Sequence, residues 1–375
     1  MRSVGVEEEL LLVDPASGVP LALSGHVLEA ADRADGPGPS EGWEQGHNFE
    51  RELAKEQVEF ATKPVTDLGE LAREIGRWRT EAARHAEGVG AVVAALGTSP
   101  LPVEPSLNTG RRYQWVAEQF GLTAQEQLTC GCHIHVSVES DEEGVAVLDR
   151  IRPWLAVLTA LSANSPFWQG RDTGYGSYRS RVWNRLPSAG PVDLFGSAKG
   201  YHAQVRAMVD SGVLRDEGMI WWDARLSAAY PTVEVRVADV CLDASTPVLL
   251  AALVRGLVET AARDWHAGRP PAPVSTSLLR LASWQAGRSG LEGSLLHPET
   301  MRETSPEEAV EALHRHVVDA LHDHGDDRLV REGLAALLRD GNGARVQREL
   351  MRTQGDLTKV VTRCAEITTA SASRP

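Results

Sequence analysis

His133-Ile134-His135-Val136-Ser137-Val138 alternates polar and branched apolar residues without a break. An extended strand sends successive side chains to opposite faces, so His133, His135 and Ser137 share one face while Ile134, Val136 and Val138 share the other. The same split recurs in Thr232 to Val237, where Thr232, Glu234 and Arg236 stand against Val233, Val235 and Val237. It recurs again in Gly5 to Leu10, where Glu7 and Glu9 share a face and leave Val6, Glu8 and Leu10 behind. In Glu52 to Phe60, Gln57 and Glu59 fall together, with Glu52 just upstream in a loop. Such alternation belongs to an antiparallel sheet with one face on a core and one face in water.

A solvated sheet side gives this pattern on its own, but it is usually built from Thr, Lys and Ser. Four strands supplying mostly Glu, His and Arg suggest a site. Hard divalent cations such as Mg²⁺ take carboxylate oxygens, retained water and substrate phosphates, which is the donor set on offer. Such cations could bridge the phosphates of ATP and offset charge in a phosphoryl transfer.

Outward from these strands, further extended segments are expected at Val4–Val13, Gln57–Thr62 and Ala91–Gly97. Leu68, Leu71, Ile75 and Trp78 share one helical face, as do Leu148, Ile151, Leu155 and Leu158. Ser245-Thr246-Pro247 and Ser305-Pro306 read as capped helix starts, and Glu307 and Glu308 suit the first turn. The last third is mostly helical. The stretch from Asp32 to Gly46 is rich in Gly and Pro and reads as a loop. Strands and helices mix without regular alternation, and no glycine-rich phosphate loop occurs. The expected fold is therefore α+β, a curved, largely antiparallel sheet with helices on one face, in a single catalytic domain over residues 1–375.

The 375 residues are 42% hydrophobic, enough for a large core, and carry a formal charge of -14. That charge argues against nucleic-acid or anionic-membrane partners. The apolar run Val248–Val254 stops at Arg255, short of the roughly 20 residues a span needs. Glu7, Glu8 and Glu9 interrupt any leader, so a cytoplasmic location is expected. The four cysteines, Cys130, Cys132, Cys241 and Cys364, do not form a disulfide framework. Cys130-Gly131-Cys132-His133-Ile134-His135 offers a rival reading as a zinc-dependent hydrolase, although the spacing is tight. Alternation sends both thiols away from the histidines only if the strand starts that early. Asn164 to Pro187, with Arg171, Arg179, Arg181 and Arg185, reads as a cationic loop suited to carboxylate or phosphate. Trp221-Trp222-Asp223-Ala224-Arg225 leads into the strand at Thr232.

Together Val4–Glu9, Gln57–Glu59, Gly131–Val136, the run ANSPFWQGRDTGYGSYRSR at Ala163–Arg181, and Pro231–Asp239 resemble the type 2 glutamate-cysteine ligase, or carboxylate-amine ligase, family over nearly the whole chain. The resemblance implies a glutamine synthetase/guanido kinase-like fold with its site on the concave sheet face. It implies metal ligands at Glu7, Glu9, Glu52, Glu59, His133 and Glu234, and Arg236 at the phosphate or reacting carboxyl group. Arg179 and Arg181 are implied as further catalytic groups, and Arg225, Gln57 and His135 as contacts to substrate or ATP. ATP would be a substrate and Mg²⁺ the cofactor, and the small-molecule partners would be an acid, likened to glutamate, and an amine, likened to cysteine. Another acid and amine pair with the same chemistry stays open, and the family resemblance allows a homodimer. Glu59→Gln or Glu234→Gln is expected to abolish ATP turnover with the fold largely intact.

Overall fold

The computed structural model describes residues 1–35 and 49–372. Seven strands form the main sheet: β1 (Val4–Val13), β2 (Phe49–Arg51), β3 (Gln57–Ala61), β4 (Val92–Ala94), β5 (Gly131–Ser137), then β8 (Ala224–Leu226) and β9 (Thr232–Asp239). Between β5 and β9 in the chain, β6 (Phe167–Trp168) and β7 (Arg171–Asp172) make a separate small hairpin. The sheet order is β2-β3-β1-β5-β9-β8, with β4 also on β1, and every pairing within it is antiparallel.

One face of this sheet is dry because Val4, Val6, Ile134, Val136, Val233 and Val235 all point into a single core. Helices Leu68–Glu87, Asp141–Ile151, Leu155–Ser162 and Ser245–His266 supply its other side, including the expected Leu68, Leu71 and Ile75. Leu148, Ile151, Leu155 and Leu158 are buried as read, but a 3₁₀ turn at Arg152–Trp154 divides their helix in two. A second core lies around Leu10–Val13, Phe49, Phe60, Trp78 and Val93, closed by Val360, Val361 and Cys364 of the final helix, Leu357–Ala372.

Several local expectations are corrected. Asp32 to Asp35 close a helix, Ser24–Asp35, instead of opening a loop, and residues 36–46 of that stretch lie outside the described residues. Ser305 caps its helix by accepting from Glu308 N, but Ser245 does not cap the helix it opens. There Asp243 Oδ1 accepts from Ser245 N at 2.8 Å, and Ala244 is the cap residue. The cationic run is not one loop, since it holds the β6–β7 hairpin and a short helix, Arg179–Trp183. Helix Ser245–His266 is long and apolar enough to cross a membrane by length and composition, yet 78% of its most apolar window is buried. Arg255, which interrupts its apolar run, is itself buried, with Nη2 donating to Asp326 Oδ2 at 2.5 Å.

Candidate active site

Antiparallel register turns the alternation of single strands into rows across the sheet. Glu50 on β2, Glu59 on β3 and Glu9 on β1 lie side by side, and Glu9 reaches β5, where Gly131 N donates to its Oε2 at 2.6 Å. One step along, Glu7 pairs with His133. In the next row His135 pairs with Glu234, and Glu234 with Arg225. A β-bulge on β9 opposite His133 places two residues, Arg236 and Val237, against one. Arg236 stays on the wet face while Val237 and Ala238 both turn into the core.

These rows floor a cavity of about 520 Å³. Glu7, Glu9, Glu52, Glu59, His133 and Glu234 line it, as do Gln57, His135, Arg225 and Arg236. Its far wall is more apolar, with Tyr113, Val116, Trp183, Leu186 and Trp221. Neither Arg179 nor Arg181 lines the cavity. Arg179 lies over Gly131 at the end of this floor, fully buried, with Nη2 donating to the Arg236 carbonyl at 3.4 Å and its guanidinium 5.6 Å from the Trp183 ring centre. That position needs Gly131, because a Cβ there would stand 2.3 Å from Arg179 Nη2. Arg181 has Asp223 and Arg280 as its charged neighbours instead, with the phenol of Tyr175 close by.

The charges separate into two poles. Burial pushes the Glu9 carboxyl up to about 8, helped by Glu52 and opposed by Arg179. Burial also raises Glu59 well above the carboxylate range, and Glu52, hydrogen-bonded to it, raises it further. A proton thus sits where a cation would otherwise satisfy the oxygens. At the other pole burial acts to raise Glu234, but Arg236, Arg225 and His135 outweigh it and bring the group down to about 2. Arg225 Nε donates to Glu234 Oε2 at 2.7 Å, and Arg236 Nη1 donates to Oε1. Glu7 is held low against its burial by His135 and His133, while burial and Arg236 bring His133 down to about 4.

The donor set fits a hard divalent ion. Ligand atoms of Glu7, His133 and Glu234, and separately of Glu9, Glu59 and His133, lie within 4.8 Å of one another. The buried Nε2 of His133 has no hydrogen-bond partner among the described residues, and burial favours the neutral ring, which can offer a lone pair to a cation. The zinc arrangement does not form. Cys132 faces the helix-side core, Cys130 lies in the second core, and burial drives both thiols well above their ordinary range.

Other members of the site escaped the alternation rule. Glu50 belongs to a strand of three residues, too short to show a period, and Tyr113 comes from helix Arg111–Phe120. Asp239 is buried at the end of β9 and accepts from Ser165 Oγ at 2.7 Å, Ser177 Oγ at 2.7 Å and Asn164 N at 2.9 Å. It ties the run that carries Arg179 to the strand that carries Arg236. The only sequence signal for it was an acid at the end of an otherwise apolar strand face.

The model of glutamate-cysteine ligase family 2 matches residues 3–363. A Streptomyces avermitilis protein, provisionally named glutamate–cysteine ligase 2-1, is 62% identical over 98% of this chain and 99% of its own length. A Streptomyces coelicolor protein, provisionally named glutamate–cysteine ligase 2, is 60% identical over 99% of this chain and 100% of its own. In fold, the chain is similar to a Francisella tularensis glutamate–cysteine ligase solved in complex with AMP, with a TM-score of 0.74 at 12% identity over 100% of this chain and 89% of that one. It is also similar to a bifunctional glutathione synthetase from Pasteurella multocida, with a TM-score of 0.70 at 14% identity over 99% of this chain and 52% of that one. On a match that spans almost every described strand and helix, this chain is an enzyme that belongs to glutamate-cysteine ligase family 2.

Proposed function

We propose that this enzyme joins a carboxylate to an amine at the expense of ATP, with the γ-carboxyl of glutamate and the amino group of cysteine as the preferred pair. The observation that carries the reading is the meeting, in one cavity, of a carboxylate and imidazole cluster with the Arg225–Glu234–Arg236 group. Relatives named as glutamate–cysteine ligases support the choice of substrates. A carboxylate oxygen attacks the γ-phosphorus of ATP, and the bond to the ADP oxygen breaks, leaving an acyl phosphate. The amine nitrogen then attacks the acyl carbon, inorganic phosphate departs, and the nitrogen loses a proton to give the amide.

Glu7, Glu9, Glu52, Glu59, His133 and Glu234 would hold Mg²⁺, which when bound would neutralise charge on the phosphates. Arg236 is buried, and its Nε has no hydrogen-bond partner among the described residues, so it can donate to an oxyanion. Arg225 shares the Glu234 carboxylate and orients that pole. Arg179 serves from the end of the floor, over Gly131, by balancing Glu9 rather than by touching substrate. Arg181 remains a candidate only if binding moves it. The chain works as one catalytic unit over its length, and its place is the cytoplasm.

The test incubates purified protein with Mg²⁺, ATP and pools of amino acids, and follows phosphate release together with new amide mass. Phosphate and amide appearing in equal amounts with glutamate and cysteine support the proposal. The same equality with another pair keeps the chemistry and replaces the substrates. ATP left intact with every pool refutes it.

A further inference from the structure

Beyond Glu7 and His135 the wet face of the sheet does not end. It continues into a second, smaller cavity of about 150 Å³, which shares Glu7, Ala61, His135 and Tyr230 with the main one. By the share of volume a liquid water occupies, this is room on the order of five waters. Its walls are Gly5, Ala61, Thr62, Pro64 and Pro231, mostly apolar or neutral surface. No Arg or Lys lines it among the described residues, so it offers nothing to a carboxylate or phosphate. Among the described residues its ionisable groups are Glu7, His135 and the phenol of Tyr230, all three shared with the main cavity at the mouth.

From this we infer that the small cavity takes the side chain of the incoming amine, restricts that side chain to a compact neutral one, and has Gly5 as its specificity-determining residue. The inference rests on the ligase reading above and specifies the substrate class of that same site. An acid with an α-carboxylate finds guanidinium groups, those of Arg112, Arg225 and Arg236, only in the main cavity among the described residues. An amine whose substituent enters the neutral chamber lies beside Glu7 and His135 at its mouth, where the chamber opens onto the main cavity. Gly5 faces this chamber because it shares the β1 face of Glu7. A Cβ there would meet nothing nearer than Thr62 O at 3.8 Å and Thr62 Oγ1 at 4.0 Å. A side chain at this position therefore fits the strand without displacing it and fills the chamber instead.

The experiment measures acid- and ATP-dependent amide formation for wild type, Gly5→Ala and Gly5→Val. The acceptors are hydroxylamine, glycine, alanine, cysteine, 2-aminobutyrate and leucine. In wild type, kcat/KM peaks at the compact side chains and falls at leucine. In Gly5→Val, the ratio of kcat/KM for cysteine or 2-aminobutyrate to that for hydroxylamine drops by about 10-fold or more, the scale of one excess methylene in an apolar pocket. Gly5→Ala gives an intermediate ratio and carries the test if the valine variant does not fold. Ratios unchanged in both variants, or a wild type indifferent to acceptor size, overturn the inference and leave the ligase reading standing. Absence of any hydroxylamine product in wild type sinks both.

Discussion

Glu59 and Glu234 looked equivalent as residues in alternating strands, but their surroundings set them apart. Burial and Glu52 push Glu59 well above the carboxylate range, so a neutral isostere such as Gln suits its surroundings in the metal-free protein. Glu59→Gln should keep the melting temperature and lower turnover at least about 100-fold, the scale of losing one electrostatic stabiliser, as steady-state kinetics beside calorimetry would show. Glu234→Gln should lose turnover and also stability, by roughly 1–3 kcal/mol in denaturant titration, because Arg225 and Arg236 both depend on its charge. The sequence showed which face each carboxylate takes, but not which neighbour holds its proton. The same distinction has a sign in pH. Glu9 is raised to about 8, so the stability tied to its proton is present at low pH and is lost as pH rises toward 8. His133, brought down to about 4, acts oppositely, but only below the ordinary imidazole value near 6.5. Between pH 6.5 and 8 the metal-free enzyme should therefore melt at a falling temperature, and Mg²⁺ should restore it most at the upper end. A melting temperature that climbs through this window in calorimetry would contradict the assignment.

At the scale of elements, β1 works on both faces. Its core face carries Glu8, an acid among apolar residues, which the alternation exposed without naming a partner. The partner is Arg79 on helix Leu68–Glu87, donating from Nε at 2.8 Å and Nη2 at 2.7 Å to the two carboxylate oxygens. Its remaining N–H groups reach the carbonyls of Cys241 at 2.7 Å and Leu242 at 3.1 Å, just past β9. One buried guanidinium thus staples the strand of Glu7 and Glu9 to the end of the strand of Glu234 and Arg236. Arg79→Met alone should cost about 3–5 kcal/mol, since it strands a buried carboxylate, whereas adding Glu8→Gln should recover most of the loss in denaturant titrations. Sequence periodicity picked out Leu68, Leu71, Ile75 and Trp78 on this helix and passed over Arg79, because a helical period does not distinguish a buried arginine from a solvated one. The β9 bulge was hidden for a related reason, because it depends on how two strands meet and not on either alone. Gly131→Ala is the finer probe of this layer. It displaces the Arg179 guanidinium from above β5, so turnover should fall well ahead of any change in melting temperature.

Across the whole molecule, the sheet order explains both what the sequence disclosed and what it withheld. Strand positions and their wet faces followed from local alternation, which a single segment contains. The neighbours of β1 did not, because β3, β4 and β5 come from distant parts of the chain and are chosen by packing against helices. The cavity shares this non-local origin, so a ligand that fills it should stabilise the entire fold. Mg²⁺ with ATP at about 100 times its dissociation constant should add about 2.7 kcal/mol by mass action, and a thermal shift absent at that ratio would mean that nucleotide does not bind here. The final helix has a parallel role, since Thr368 Oγ1 accepts from Ala95 N beside the short strand β4, and Val360, Val361 and Cys364 close the second core. This arrangement fixes the timetable of biosynthesis. Within this chain β1 is made before the segments that cover it, and the helix Leu357–Ala372 that closes its second core is made after them. A growing chain must therefore keep an unfinished sheet soluble until that helix arrives, and a chain cut before Leu357 should yield aggregates instead of a slower enzyme.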